Sequence, residues 1–97
     1  MREAEKNELL KALNADWDFS FNKTRIRRSY SLPDYISAIK LLEKITALSE
    51  ELNHHPEIHL GWGHLEIELW THTKDDLSVL DFELARRIDQ ASLTTSV

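Results

Sequence analysis

A chain of 97 residues, 41% hydrophobic with two glycines and two prolines, suits one domain (1–97) around one modest core and leaves no room for a second. Without cysteine there is no disulfide, no thiolate nucleophile and no cysteine-held zinc, and a net charge of −5 argues against general nucleic-acid binding, which needs an excess of Lys and Arg. No apolar run approaches the roughly 18 to 20 residues of a membrane helix, and MREAEKNELL lacks the apolar segment of a signal peptide, so a cytoplasmic protein with no membrane partner is expected.

Leu9, Leu10 and Leu13, with Ala4 and Ala12, follow helical spacing and predict a first amphipathic helix to about Asn14. Trp17, Phe19 and Phe21 then alternate with polar residues, the period-two pattern of a half-buried strand. Asn22 and Lys23 make a turn into a second strand over 24–31, where Ile26 and Tyr30 share a face with Arg28 between them. Arg25, Arg27 and Arg28 read as a solvated edge that discourages further strand pairing, with polyanion or partner binding as the alternative.

Pro33 favours a helix start, and Tyr35, Ile39, Leu42, Ile45, Leu48 and Leu52 predict a long helix with one apolar stripe to about Asn53. Pro56 cannot sit inside that helix and biases His55 toward extended backbone, so His54 and His55 fall at the helix exit or just beyond it. Residues 57–60, a bend at Gly61, Trp62 and Gly63, and alternating residues 64–71 predict a second hairpin, followed by a polar loop at Lys74, Asp75 and Asp76. Ser78 is a good N-cap for a last helix over about 79–90 with Leu80, Leu84 and Ile88 inward, and 92–97 form a frayed tail. The order α-β-β-α-β-β-α predicts an α+β, two-layer domain: a four-stranded antiparallel sheet with three helices packed on one face.

Three imidazoles fall in two short segments at the edges of regular elements: His54 and His55 before Pro56, and His72 after Thr71. Imidazole exchanges protons near neutral pH, so the two segments together read as an acid–base site. Each alone has a plainer meaning, because a helix C-terminus favours His through its negative dipole end and a histidine closing a strand is usually a solvated edge residue. Asp81, three residues after Ser78, either caps the last helix or orients a histidine. Glu50, one turn before His54, lies on a solvated face or bonds His54 or a substrate, and Trp17 is a core residue or a wall of the site. Metal is disfavoured, since His55 and His59 need a helix to converge and Pro56 interrupts it; His59 and His64 read as surface, and no cofactor is implied.

An acidic residue four before His-His-Pro, an aromatic several residues on, Thr-His eighteen residues after the first histidine, and Leu77-Ser78 with Asp81 closing the pattern resemble the pterin-4a-carbinolamine dehydratases over residues 17–88. The resemblance implies the same architecture and assembly as homodimers or homotetramers through sheet edges and helices, which exposed Trp70 or Ile36 would serve. It implies a small-molecule pterin substrate and dehydration of 4a-hydroxytetrahydropterin to quinonoid dihydropterin plus water, in tetrahydrobiopterin recycling for an aromatic amino-acid hydroxylase. That chemistry needs an acid and a base but no metal or redox cofactor. It further implies His54, His55 and His72 as the catalytic set, with His54 and His72 the proton-transfer pair and His55 and Pro56 shaping and holding the pterin; Thr71, Trp17, Glu50 and Asp81 complete the substrate-binding candidates. The alternative is a non-catalytic pterin-dehydratase-like protein acting as an assembly factor or transcriptional coactivator, roles that some relatives have. Two departures stand out: Asp76 where the family commonly has Gly, which predicts a strained left-handed Asp76, and Ile58 where an aromatic often forms a pocket wall.

Overall fold

Alternating and helical periodicities settle into seven elements in a computed structural model, which describes residues 1–93. They are α1 (Glu3–Lys11), β1 (Asp18–Ser20), β2 (Arg25–Ser31), α2 (Tyr35–Leu52), β3 (Glu57–Gly61), β4 (His64–Leu69) and α3 (Val79–Leu93). The strands pair antiparallel in the order β1-β2-β4-β3, giving the expected α+β fold with one four-stranded sheet. Among the described residues no helix is long and apolar enough to cross a membrane.

Register assigns the two faces. Ile26 stands opposite Leu69, Tyr30 and Leu60 opposite Leu65, and Ile58 opposite Ile67, so one face is apolar. Ile26, Leu65, Ile67 and Leu69 are fully buried against Leu41 and Ile45 of α2 and Phe82, Leu84, Ala85 and Ile88 of α3, with Leu9, Leu10 and Leu13 from the first helix and its exit packed at the margin. Each fully buried Leu, Ile or Phe among them contributes about 1.5–3 kcal/mol. The other face is polar, crossed by Ser20 to Glu68 at 2.7 Å and Arg27 to Glu66 at 2.9 Å.

Several expectations change in the folded chain. The arginines do not mark an edge, because β2 lies between β1 and β4; which strand is central depends on how the two hairpins meet, and period two carries no such information. Arg28 is on the buried face, where its guanidinium meets Asp89 of α3 at 2.6 Å and stacks over Tyr30 at 4.3 Å. Burial pushes the Tyr30 phenol up, and its hydroxyl bonds Ser92 at 2.9 Å. Residues 92 and 93 of the expected frayed tail belong to α3, while 94–97 lie outside the described residues.

In α2 the Asp34 carboxylate caps the helix through Ser37 N–H at 2.8 Å, so the helix begins after Pro33 and not at it. Its buried stripe is Ala38, Leu41, Ile45 and Ser49, whereas Tyr35 is 47% exposed. Two of these four are small, and Ser49 is tolerated there because its hydroxyl bonds Ile45 O at 2.7 Å. Leu80 turns out to solvent, since Asp81 and Phe82 take the inward positions of the first turn of α3. The first helix stops at Lys11, short of Asn14.

Candidate active site

The end of α2 sets the first half of the site. Asn53 adopts φ 50, its N–H donates to Glu50 O at 3.2 Å and the His54 N–H donates to Ser49 O at 3.0 Å, a Schellman ending in which Asn takes the left-handed place usual for Gly. The segment from His54 to Pro56 then leaves without regular structure, as Pro56 requires. Successive side chains point to opposite sides, so His54 turns inward and His55 stays exposed.

Inside, His54 Nε2 meets Asp81 Oδ1 at 2.5 Å. Asp81 is fully buried, and its second oxygen accepts the Thr71 hydroxyl and the Ser78 N–H, both at 2.9 Å, while the Thr71 and Ser78 hydroxyls lie 2.5 Å apart. Asp81 therefore does both things weighed for it: one oxygen caps α3 and the other holds a histidine. A carboxylate is acceptor only, so it fixes the proton of a neutral His54 on Nε2 and leaves Nδ1 as the ring's acceptor.

The loop after β4 sets the second half. Thr71 N–H donates to Asp76 O at 2.9 Å and Lys74 N–H to Thr71 O at 3.0 Å, closing a short loop around His72. The left-handed residue of this loop is Asp75, with φ 50, one position before the expected Asp76. Asp76 instead receives the Lys6 ammonium at 2.8 Å and the Leu77 N–H at 2.7 Å, bonds that hold its carboxyl below its ordinary value, Lys6 first. His72 is exposed, with its ring 4.6 Å from that of Trp70 and tilted by 45°.

His54, His55, Thr71 and His72 line one open cavity of about 300 Å³ together with Asn53, Trp70, Thr73 and Leu80. That is the lower end of the range for small-molecule sites. Asp81 stands behind His54 and is not part of the lining, and neither are Pro56 and Ile58. Glu50 bonds His55 Nε2 and not His54, because His54 has turned away from it. Trp17 is not at the cavity either: it is 3% exposed in the core, its indole N–H on Asp89 at 2.7 Å. Trp70 and Leu80 were missed as site residues. Trp70 follows Glu66 and Glu68 in the outward series, an aromatic at a polar position immediately before Thr71, a signal available in the alternation. His59 and His64 are exposed in β3 and β4, and among the described residues no three metal-binding side chains gather.

The protein family described as pterin 4 alpha carbinolamine dehydratase matches residues 1–91. The chain belongs to this family. A Rickettsia bellii relative, provisionally named pterin-4-alpha-carbinolamine dehydratase, is 35% identical over 89 residues, 92% of this chain and 78% of that protein. Pterin-4-alpha-carbinolamine dehydratase 2, mitochondrial, of Arabidopsis thaliana is 30% identical over 93 residues, 93% of this chain and 49% of its own length. Among solved structures, a Brucella melitensis protein described as a transcriptional coactivator/pterin dehydratase superposes with TM-score 0.86 at 29% identity, covering 93% of this chain and 95% of that one.

Proposed function

We propose that the protein dehydrates 4a-hydroxytetrahydropterin to quinonoid dihydropterin, with His54 and His72 as the proton-transfer pair. The observation that carries this is the buried Asp81 carboxylate on His54 Nε2 at 2.5 Å, with His54 and His72 lining the same cavity. His54, its Nδ1 left as acceptor, takes the proton from the ring N–H; the nitrogen pair forms the new C=N bond as the C4a–O bond breaks. His72 gives a proton to the departing hydroxyl, which leaves as water. Solvent in the open cavity takes the proton from His54 and returns one to His72, so both histidines are reset and the balance closes as substrate to product plus water.

His55, held by Glu50, and Trp70 frame the flat ring, and Thr71 positions Asp81. Pro56 acts by directing the two histidines to opposite sides. Trp17 contributes through the core alone. We extend the proposal to a single-domain, cytoplasmic homo-oligomer in tetrahydrobiopterin recycling for an aromatic amino-acid hydroxylase.

Dehydration of freshly generated 4a-hydroxypterin by the purified protein tests the activity, with the spontaneous loss of water subtracted. No rate above the spontaneous one would refute it. That result would leave the binding role, for which the coactivator description of the Brucella relative is the supporting observation.

A further inference from the structure

The turn between β1 and β2 is held in a conformation its side chains resist. Phe21, Asn22 and Lys23 take φ 48, 54 and 61 in succession, and none is glycine. Left-handed backbone is unfavourable for residues with a Cβ and persists where the surroundings hold it, often at functional sites. Two cations hold this turn, and both also fasten the loop that carries His72. Lys6 of α1, its side chain 9% exposed, donates to Lys23 O and to Asp76 Oδ1, each at 2.8 Å. Arg25, its side chain 15% exposed, lies 5.0 Å from the Phe21 ring and 4.3 Å from Trp70, and bonds Asp75 at 2.9 Å. Trp70 in turn contacts His72 at 4.6 Å between ring centres.

The two histidines of the site are thus secured by different means. His54 is locked into the core by Asp81. His72 is exposed on a loop, and its ring rests on a stack that runs Phe21, Arg25, Trp70, His72. Consecutive loop residues Asp75 and Asp76 are each tied to one of the two cations. We propose that Arg25 and Lys6 are positioning residues that, braced by the left-handed turn at 21–23, set the place of His72 relative to His54. The inference rests on the proton-transfer role given to His72 above. Misplacing a reacting group by about 1 Å costs on the order of 100-fold in rate, so a brace remote from the substrate has kinetic consequences.

Arg25→Met keeps an apolar stem but removes the guanidinium from Trp70 and Asp75. The expected result is a kcat lower by about 10- to 100-fold with KM little changed. In a His72→Ala background the same substitution should cost almost nothing more, because the group it positions is gone. In imidazole NMR spectra the His72 ring signals should shift and broaden while those of His54 stay. Arg25→Lys, which keeps the ion pair but not the flat face on Trp70, should be intermediate, and Lys6→Met should repeat the His72 signature from the other side of the loop. Wild-type kcat and unchanged His72 signals in both Arg25→Met and Lys6→Met would overturn the brace, as would an equal rate loss in the His72→Ala background, which marks general destabilisation. A wild-type protein without dehydratase activity would instead remove the proposed function, and the His72 signals of the variants would still decide whether the brace exists.

Discussion

Asp81→Asn exchanges one buried oxygen for an amide nitrogen at almost constant volume. Two donors, the Ser78 N–H and the Thr71 hydroxyl, converge on Oδ2 at 2.9 Å each, so the amide oxygen stays there and the NH₂ group turns to His54 Nε2. Donor would then face donor, and His54 relieves the clash by moving its proton to Nδ1. That fills the atom assigned to accept the substrate's proton. The same exchange behind the histidine of a serine-protease triad lowers kcat by about 10⁴ through the wrong tautomer. A positioned acid or base contributes about 10²- to 10⁴-fold in general, which is about 2.7 to 5.4 kcal/mol of barrier. The folding penalty is smaller: one hydrogen bond to a charged group, about 1.5 to 3 kcal/mol, becomes a neutral one, and the cap on α3 survives. Stopped-flow dehydration of freshly made 4a-hydroxypterin reads the rate, and ¹⁵N shifts of the His54 ring read the tautomer. Wild-type turnover, or a variant whose His54 still carries its proton on Nε2, would refute the reasoning.

His54→Ala and His72→Ala should each lower turnover by about 10²- to 10⁴-fold with the far-ultraviolet circular dichroism of the native fold retained; wild-type rates in both would sink the assignment. Turnover should survive dialysis against a strong chelator, since Pro56 keeps His55 and His59 from converging on one helix face; loss of activity restored by zinc would contradict this. The Asp76 carboxyl is depressed mainly by Lys6, so its contribution is present above the unfolded carboxylate value of about 3.9 and fades as pH falls through the lower folded one. Thermal midpoints of the wild type and Asp76→Asn should therefore differ near neutral pH and converge in acid, and a gap that persists below both values would count against the Lys6 pair. Light scattering at micromolar concentration should give the mass of a dimer or tetramer, and a monomer's mass would exclude it.

Period two and period 3.6 place all seven elements and the helix exit at His54, because local backbone geometry alone decides which side chains alternate and where proline stops a helix. The family pattern likewise brings His54, His55, Thr71 and His72 to notice before any coordinates, and all four line one cavity. Boundaries drift where capping decides them, as at Asp34 and Lys11. What periodicity does not carry is the pairing of distant segments. The central place of β2 depends on how two hairpins join, and the buried stripe of α2 runs through Ala38 and Ser49, small residues that an apolar pattern does not mark. Trp17 and Asp89 are 72 positions apart, so the alternation that marks Trp17 as buried is silent on whether it faces a substrate or a carboxylate. Asp81 is the sharpest case. As a lone residue of the last helix it is equally a cap or an orienting group, and only the fold, by carrying the end of α2 across 27 positions to the start of α3, makes one carboxylate do both.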